Sequence, residues 1–238
     1  MKIFDCHCHI EQGLLNYDLD NVCHRNIIFN SIDDYKNFIQ DVPEGDSVSL
    51  IFDYKSNLDY VLDAVNKKEI NALKIISRDQ QLNESDYALL INKLKLVKKN
   101  IPIIIDAFYY DHHLKYQPSL VSIIEIAKQF PDRKIIVAHS GGHKILDYFF
   151  HLRTLKNIYY DLSFSLQYLY DSSCFLDLIK LIKYTDKNKI MFGSDYHWAS
   201  PKQQFKILNE IFNKLNFNES DVQKIFFFNA ENVFFVKQ

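Results

Sequence analysis

The chain is poor in the residues on which small secreted proteins depend. It has five glycines, five prolines and four cysteines among 238 residues. The cysteines, at positions 6, 8, 23 and 174, are too few and too scattered for a disulfide framework. A chain of this length buries well over half of the surface that its unfolded form exposes, so the core needs no structural metal. Any bound metal is therefore expected to have a catalytic role.

The chain also lacks an excess of positive charge and any long apolar run. Its 28 Lys and Arg are interspersed with 30 Asp and Glu, and the formal net charge is −2, which argues against a nucleic-acid partner. No stretch reaches the roughly 18 uninterrupted apolar residues of a membrane span. The first nine residues are too polar for a signal peptide. We therefore expect a cytoplasmic protein without a membrane partner.

Short apolar runs of strand length alternate with amphipathic stretches along the chain. The runs cover residues 3–4, 47–52, 72–76, 101–105, 134–138, 157–162 and 189–193, with a weaker eighth run at 26–29. Apolar residues at helical spacing fill the intervals, as at 58–65, 89–97 and 120–127. This alternation predicts a parallel sheet covered by helices. The strand number and the length favour one (β/α)8 TIM-barrel domain over residues 1–238, with an open doubly wound sheet as the alternative.

Two segments have the pattern of a helix N-terminal capping box. They are Ser-Pro-Lys-Gln at 200–203 and Ser-Asp-Val-Gln at 220–223. In this motif the serine side chain accepts a hydrogen bond from the backbone three residues later, and proline is favoured at the first helical position. The sequence predicts helices that begin after Ser200 and Ser220.

The segment Asp-Cys-His-Cys-His at residues 5–9 is the strongest chemical signal. In a strand, His7 and His9 project to the same side with Cα atoms about 6 to 7 Å apart, close enough for both imidazoles to bind one divalent ion. Asp5 shares that face, as a ligand or as a hydrogen-bond partner of a ligand imidazole. The alternative is an N-terminal strand in which the two histidines occur by chance and bind no metal.

Two later runs also end in polar residues. The run at 134–138 is followed by His139, Ser140 and the glycine pair 141–142, and the run at 189–193 leads to Asp195 and His197. Barrel enzymes place their active sites at the carboxyl ends of the strands. His139 is therefore expected to be a ligand or an acid–base group, with a packed core histidine as the alternative. Asp195 is positioned to bind a metal and to accept a proton from water.

Together with the tail Phe-Asn-Ala-Glu-Asn-Val-Phe at 228–234 and the strand Leu-Lys-Ile at 73–75, these segments resemble the amidohydrolase-related (amidohydrolase 2) metal-dependent hydrolases. The resemblance runs from residue 3 to about 235 with the motifs in the family order. It implies a distorted TIM barrel with one divalent metal, often zinc, at the carboxyl ends of the strands. It also implies that His7, His9 and Asp195 are ligands and that His139 polarises substrate or water.

One position departs from the family pattern. Where the family has a ligand histidine after Pro and three apolar residues, this chain has Asp106. A carboxylate also binds divalent ions, but oxygen is a harder ligand than imidazole and shifts the preference from zinc toward manganese. Asp106 is thus the fourth metal ligand that the resemblance implies.

Lys74 and His197 are the predicted substrate-binding residues. Lys74, near the end of a buried strand, contacts an anionic substrate group in one interpretation, is carbamylated to bridge two metals in a second, and pairs with a nearby carboxylate in a third. His197 stands where the family often has proline, next to the predicted metal site. The sequence leaves open whether the chain forms homo-oligomers.

The sequence favours a hydrolase that activates water on a divalent metal and acts on a small molecule, with Asp195 as the base. The family also includes decarboxylases with the same ligands. A TatD-like metal-dependent nuclease is a second interpretation, because its opening motif is similar. A catalytically idle barrel that serves as a binding or scaffold protein is a third, suggested by Asp106.

Overall fold

Eight parallel strands follow one another in the sheet in the order in which they occur along the chain. The computed structural model describes residues 1–10, 17–108, 116 and 119–235. The strands are β1 (Ile3–Cys8), β2 (Val22–Phe29), β3 (Ser47–Ile51), β4 (Ala72–Ile75), β5 (Ile103–Asp106), β6 (Ile135–Ala138), β7 (Ile158–Asp161) and β8 (Ile190–Met191). Every sequence-predicted run overlaps one of them, and the weak run at 26–29 is the carboxyl half of β2.

The sheet closes because the residues that follow β8 bond to β1. The Cys6 N–H donates to the carbonyl oxygen of Phe192 at 3.0 Å, and the Asp195 N–H donates to the carbonyl oxygen of His7 at 2.7 Å. A parallel bridge between Cys8 and Tyr196 continues this contact. The eight strands therefore form a nearly closed TIM barrel, which confirms the predicted fold and excludes the doubly wound sheet.

Helices cover the outside of the barrel. They are α1 (Ile32–Phe38), α2 (Leu58–Lys67), α3 (Asp86–Leu94), α4 (Leu120–Gln129), α5 (Ile145–Leu152), α6 (Ser165–Tyr168), α7 (Cys174–Tyr184), α8 (Pro201–Leu215), α9 (Glu219–Gln223) and α10 (Asn229–Phe234). In α2, for example, Val61, Ala64 and Val65 are buried while Asp63 and Lys67 are exposed. Among the residues described, no helix combines the length and the apolar character needed to cross a membrane.

One of the two predicted helix starts is confirmed and the other is wrong. Ser200 caps α8, accepting a hydrogen bond from the Gln203 N–H at 3.2 Å. Helix α9 begins instead at Glu219, because Asn218 has an extended backbone and its side-chain oxygen accepts the Asp221 N–H at 2.9 Å. Asparagine is as good a cap as serine. The earlier residue therefore caps this helix, and Ser220 lies within its first turn.

The barrel interior is apolar over much of its length and polar at the carboxyl ends of the strands. The strand residues Phe4, Cys6, Ile28, Ala72, Ile104, Ile136, Ala138 and Met191 form one apolar cluster with Phe227 and with Ala230, Val233 and Phe234 of α10. Side chains two residues apart in a strand share a face. Lys74 therefore follows Ala72, and Asp106 follows Ile104, on the inner face at the end of the strand. Because side chains alternate along a strand, Lys74 and Asp106 both lie at the mouth of the barrel.

Candidate metal and substrate site

Three buried side chains converge at the mouth of the barrel. The Nε2 atoms of His7 and His9 lie 3.4 and 3.5 Å from Oδ1 of Asp195. One donor atom from each residue lies within 4.8 Å of the other two, and this is the metal-ligand group found in the described part of the chain. Two imidazole nitrogens and a carboxylate oxygen are a common donor set for a divalent metal.

The backbone brings Asp195 to this position. Its amide is bonded to the His7 carbonyl oxygen, and its φ of +63° lies in the left-handed region, which a residue with a side chain rarely adopts. Strain of this kind persists where the surrounding structure imposes it. The loop after β8 is therefore held against β1 in the conformation that directs the Asp195 carboxylate to the two imidazoles.

The other nitrogen of each imidazole has a hydrogen-bond acceptor. Nδ1 of His7 lies 2.5 Å from Oδ2 of Asp161, and Nδ1 of His9 lies 2.8 Å from the carbonyl oxygen of Ile28. Acceptors at both positions require the proton on Nδ1, which leaves the Nε2 lone pairs facing Asp195. The His9 lone pair and the Asp195 carboxylate face each other at 3.5 Å, an unfavourable arrangement that a divalent cation between them would relieve. The donor set therefore fits a bound divalent ion.

The electrostatic environment gives these groups the ionisation states that ligands need. Burial lowers the pKa of His9 to about 4 and also lowers the pKa of His7, so both rings are neutral near pH 7. Burial alone would raise the pKa of Asp195, but the coulombic effect of His139 holds it below its ordinary value. The imidazoles therefore have free lone pairs and the carboxylate is charged.

Lys74 is buried beside these three residues. Its Nζ donates to Nε2 of His7 at 3.0 Å. Burial lowers the pKa of Lys74, although the carboxylates of Asp106 and Asp195 oppose this effect. Lys74 also lines the cavity at the mouth of the barrel.

His139 follows β6 in a turn that requires glycine. Its Nδ1 lies 3.0 Å from Oγ and 3.2 Å from the carbonyl oxygen of Ser163. Gly141 has φ +89°, and a Cβ there would lie 2.5 Å from Cδ2 of Tyr148. The turn packs closely against α5, and this packing positions His139. The centroid of the His139 ring lies 4.9 Å from the centroid of the His7 ring.

Asp106 lies close to the ligands but faces a different partner. Its Oδ1 is 3.0 Å from Nη1 of Arg78, and its Oδ2 is 3.9 Å from Nε2 of His139. Burial raises the pKa of Asp106, but Arg78, His139 and Lys74 outweigh it and lower the pKa to about 2. The carboxylate is thus charged and paired with Arg78, and it is not part of the three-residue ligand group.

A cavity of about 290 Å³ opens at these residues. It is lined by His9, Asn30, Lys74, Ile76, Arg78, Asp79, Asp106, Phe108, His139, Phe164, Asp195 and Trp198. Of the predicted site residues, this lining includes His9, Lys74, Asp106, His139 and Asp195. His7 lies beneath the surface, fully buried. His197 packs on Trp198 with ring centroids 4.7 Å apart, and the structure does not bring it into this lining.

Asp5 has a different role from the one that we expected. Its carboxylate accepts the backbone N–H of His7 at 3.1 Å, the N–H of Ser194 at 2.8 Å and the hydroxyl of Tyr17. The register of β1 against β2 shifts between Asp5 and Cys8, so simple strand alternation does not hold here. Asp5 therefore ties the His7 strand to the Ser194 loop, and Asp161 makes the contact to the imidazole.

Asp161, Ser163 and Arg78 are among the site residues that the sequence did not predict. Asp161 contacts the ring of His7, and Ser163 contacts the rings of both His7 and His139. Arg78 lines the cavity. Asp161 ends β7 as Asp106 ends β5, so a carboxylate near the end of an apolar run is the signal that could have identified it from sequence. Arg78 is one of four arginines in the chain and follows a predicted strand.

The chain matches the family model described as Amidohydrolase (Amidohydro_2) over residues 58–236. No curated protein sequence matches it.

Several solved structures share the fold. An uncharacterized TIM-barrel protein, Bb4693 from Bordetella bronchiseptica, is 14% identical, with 98% of each chain covered and a TM-score of 0.66. The 2,6-dihydroxybenzoate decarboxylase from Rhizobium is 13% identical, with 100% of this chain and 99% of that chain covered and a TM-score of 0.61. An inactive dihydroorotase-like domain of a Chaetomium thermophilum CAD-like multifunctional protein is 14% identical, with 99% and 80% covered and a TM-score of 0.70. At such identities these likenesses show the fold alone.

Proposed function

Because the chain belongs to the amidohydrolase family whose model covers residues 58–236, we propose that it is a metal-dependent enzyme that acts on a small molecule. The observation that carries this proposal is the convergence of His7, His9 and Asp195, whose donor atoms lie within 4.8 Å of one another. These three residues would hold one divalent ion, zinc or manganese. Asp106 was the fourth ligand implied by the family resemblance, but its pairing with Arg78 supports a role on the substrate side of the cavity.

The residues around the ligands suit the activation of water. A divalent ion, when bound, lowers the pKa of a coordinated water toward neutrality. The Asp195 carboxylate, which is ionised, would accept a proton from the attacking water. His139, held at Nδ1 by Ser163, uses Nε2 to stabilise charge that develops on the substrate. Lys74 contacts an anionic group of the substrate from the cavity wall.

Cleavage of an amide, ester, lactone or phosphoester would use the same residues. Decarboxylation is the second candidate reaction, supported by the structural likeness to a 2,6-dihydroxybenzoate decarboxylase. Incubating the protein with a panel of lactones, amides, phosphoesters and aromatic carboxylates, with Zn²⁺ or Mn²⁺ added, distinguishes the two reactions by their products.

Elemental analysis of protein purified without chelator or nickel tests the proposed metal site. We expect about one divalent ion per chain in the parent and none in the double variant His7→Ala/His9→Ala, which loses two of three ligands. His151→Ala is the matched control, because His151 is an exposed histidine on α5. Equal metal content in the double variant and the parent would contradict the assignment.

Two other functions predict different results. An idle barrel, supported by the likeness to an inactive dihydroorotase-like domain, binds no metal in the same analysis. A TatD-like nuclease degrades single-stranded or duplex DNA when metal is added. The interspersed charges and the net charge of −2 argue against the nuclease.

A further inference from the structure

A large cavity lies at the end of the barrel opposite the metal site. Its volume is about 730 Å³, compared with about 290 Å³ for the cavity at the carboxyl ends of the strands. It is lined by the carboxyl ends of α5 and α7, by Ile158, which begins β7, and by Lys189, which precedes β8. The two cavities share no lining residue, so this one is separate from the proposed metal and substrate site.

Much of the lining is apolar or aromatic. Leu152, Ile158 and Tyr160 are buried in it, and Tyr184 contributes a ring that is 61% exposed. Cavities of this volume accommodate small-molecule ligands. An exposed aromatic ring on the wall favours a ligand with a flat ring of its own, because the two can stack and exclude water from both faces.

The lining is also basic. Its positively charged residues are Arg153, Lys156, Lys180 and Lys189. None of the four forms an ion pair within the described part of the chain. The acidic residue of the lining, Asp186, has its Oδ1 occupied by the N–H and the side-chain amide of Asn188, at 3.0 and 2.9 Å. In a chain of net charge −2 this cavity concentrates unpaired positive charge, and it therefore attracts anions.

Two of these cations meet on one aromatic ring. Cζ of Arg153 and Nζ of Lys180 each lie 5.5 Å from the centroid of the Phe150 ring, which attracts both through its π face. The ring thus gathers like charges from the end of α5 and from α7. Their mutual repulsion is relieved when an anion binds to both.

A second pair of cations lies beside the amino ends of the strands. Nζ of Lys189 donates to the carbonyl oxygen of Lys156 at 2.6 Å and lies 4.0 Å from the centroid of the Tyr159 ring. The side chain of Lys156 is exposed. Positive charge therefore lines the cavity on its helix side and on its strand side. This arrangement suits an extended group with several negative charges better than a single carboxylate.

We propose that this cavity binds a nucleotide, a molecule that joins a flat ring to a chain of phosphates. The phosphates would contact the four cations, and the base would lie on the ring of Tyr184. This inference goes beyond the proposed function and does not depend on it, because it uses no residue of the metal site.

Calorimetric titration with ATP, adenosine and inorganic triphosphate, without added metal, tests the ligand class. We expect ATP to bind at least about tenfold more tightly than either fragment, because only ATP supplies both the ring and the charges. Triphosphate that binds as tightly as ATP would show attraction of charge alone, and adenosine that does so would show that the cations have no role. Either result overturns the proposal, as does a single-stranded DNA oligonucleotide that binds more tightly than ATP.

Charge variants locate the phosphates. Arg153→Gln and Lys180→Gln should each weaken ATP binding about tenfold, the effect of one lost charge-assisted contact. Both side chains are exposed, so we expect the variants to fold. Lys206→Gln is the matched control, because it removes the same charge from an exposed position on α8. Equal losses in all three variants would show non-specific attraction and contradict a site in this cavity.

Ring variants locate the base. Tyr184→Ala should weaken ATP binding about tenfold and leave triphosphate binding unchanged, since only the stacked ring is lost. Tyr184→Phe, which keeps the ring, should bind ATP like the parent. Tyr170→Ala, at another exposed tyrosine, is the control and should have no effect. An unchanged ATP affinity of Tyr184→Ala would overturn the proposed position of the base.

The double variant His7→Ala/His9→Ala separates this inference from the proposed function. It should bind ATP as tightly as the parent, because the metal site lies at the other end of the barrel. A large loss of ATP affinity would place the nucleotide at the metal site and overturn the inference. Metal content of the same samples tests the proposed function independently of either result.

Discussion

The His7 ring and the Asp161 carboxylate meet at 2.5 Å, between Nδ1 and Oδ2, although 154 residues separate them in the chain. The Ser163 hydroxyl donates to the same Oδ2 at 2.9 Å and also lies 3.0 Å from Nδ1 of His139. A carboxylate at the end of β7 thus fixes the tautomer and the direction of the imidazole on β1. Through Ser163, the same carboxylate connects the proposed ligand His7 to the proposed catalytic His139.

Asp161→Asn should weaken metal binding while the fold is retained. The amide nearly matches the carboxylate in shape, but it lacks the charge that makes the His7 imidazole a strong ligand. Loss of such a partner typically lowers metal affinity about 10- to 100-fold. Competition with a chromophoric chelator measures the affinity. Asp147→Asn, at an exposed position on α5, is the control, and equal affinities for the two variants would exclude this role for Asp161.

Asp106→Asn should retain the metal. In the structure the Asp106 carboxylate is paired with Arg78, and it lies outside the group formed by His7, His9 and Asp195. Elemental analysis is the measurement, with the double histidine variant as the reference for loss. A large drop in metal content would return Asp106 to the ligand set that the family resemblance implies.

Asp195→Asn and His139→Asn should affect turnover differently. Asparagine at position 195 cannot accept a proton, so we expect the variant to fold, to bind metal more weakly and to lose nearly all activity. His139→Asn should keep the metal and lose about a hundred- to ten-thousandfold in turnover, as is typical of acid–base groups.

Turnover and metal content, measured together with any substrate that the panel identifies, distinguish the two roles. Full activity of Asp195→Asn would contradict the hydrolytic mechanism. Loss of metal from His139→Asn would make His139 a ligand instead.

Gly141→Ala should destabilise the protein more than Gly45→Ala. Both glycines have φ +89°, so both variants carry left-handed strain of about 1 to 2 kcal/mol. A Cβ at position 141 would also lie 2.5 Å from Cδ2 of Tyr148, whereas the nearest atom at position 45 is 3.6 Å away. Overpacking adds about 1 to 3 kcal/mol to the loss at position 141. Urea denaturation of both variants measures the difference, and equal losses would show that Tyr148 moves aside freely.

Local patterns determined the fold. Apolar runs of strand length alternating with amphipathic stretches predict the strands, and each strand lies beside the next because short connections favour neighbours. The cap at Ser200 follows from a hydrogen bond within four residues. The second cap was misplaced because Asn218 and Ser220 both offer suitable oxygens, and only the backbone conformation decides which one is used.

The sequence by itself predicts that His7 and His9 lie together, because they are two residues apart in a segment with the pattern of a strand, and it predicts Asp195, His139 and Lys74 as polar groups near the ends of apolar runs. Only the tertiary structure decided how these groups contact one another. The distances from His7 to Asp161 and to Asp195 depend on closure of the barrel between β8 and β1, which no local spacing encodes. For the same reason the pairing of Asp106 with Arg78 emerges only when β4 and β5 lie side by side, with the charged groups brought together at the same end of the sheet.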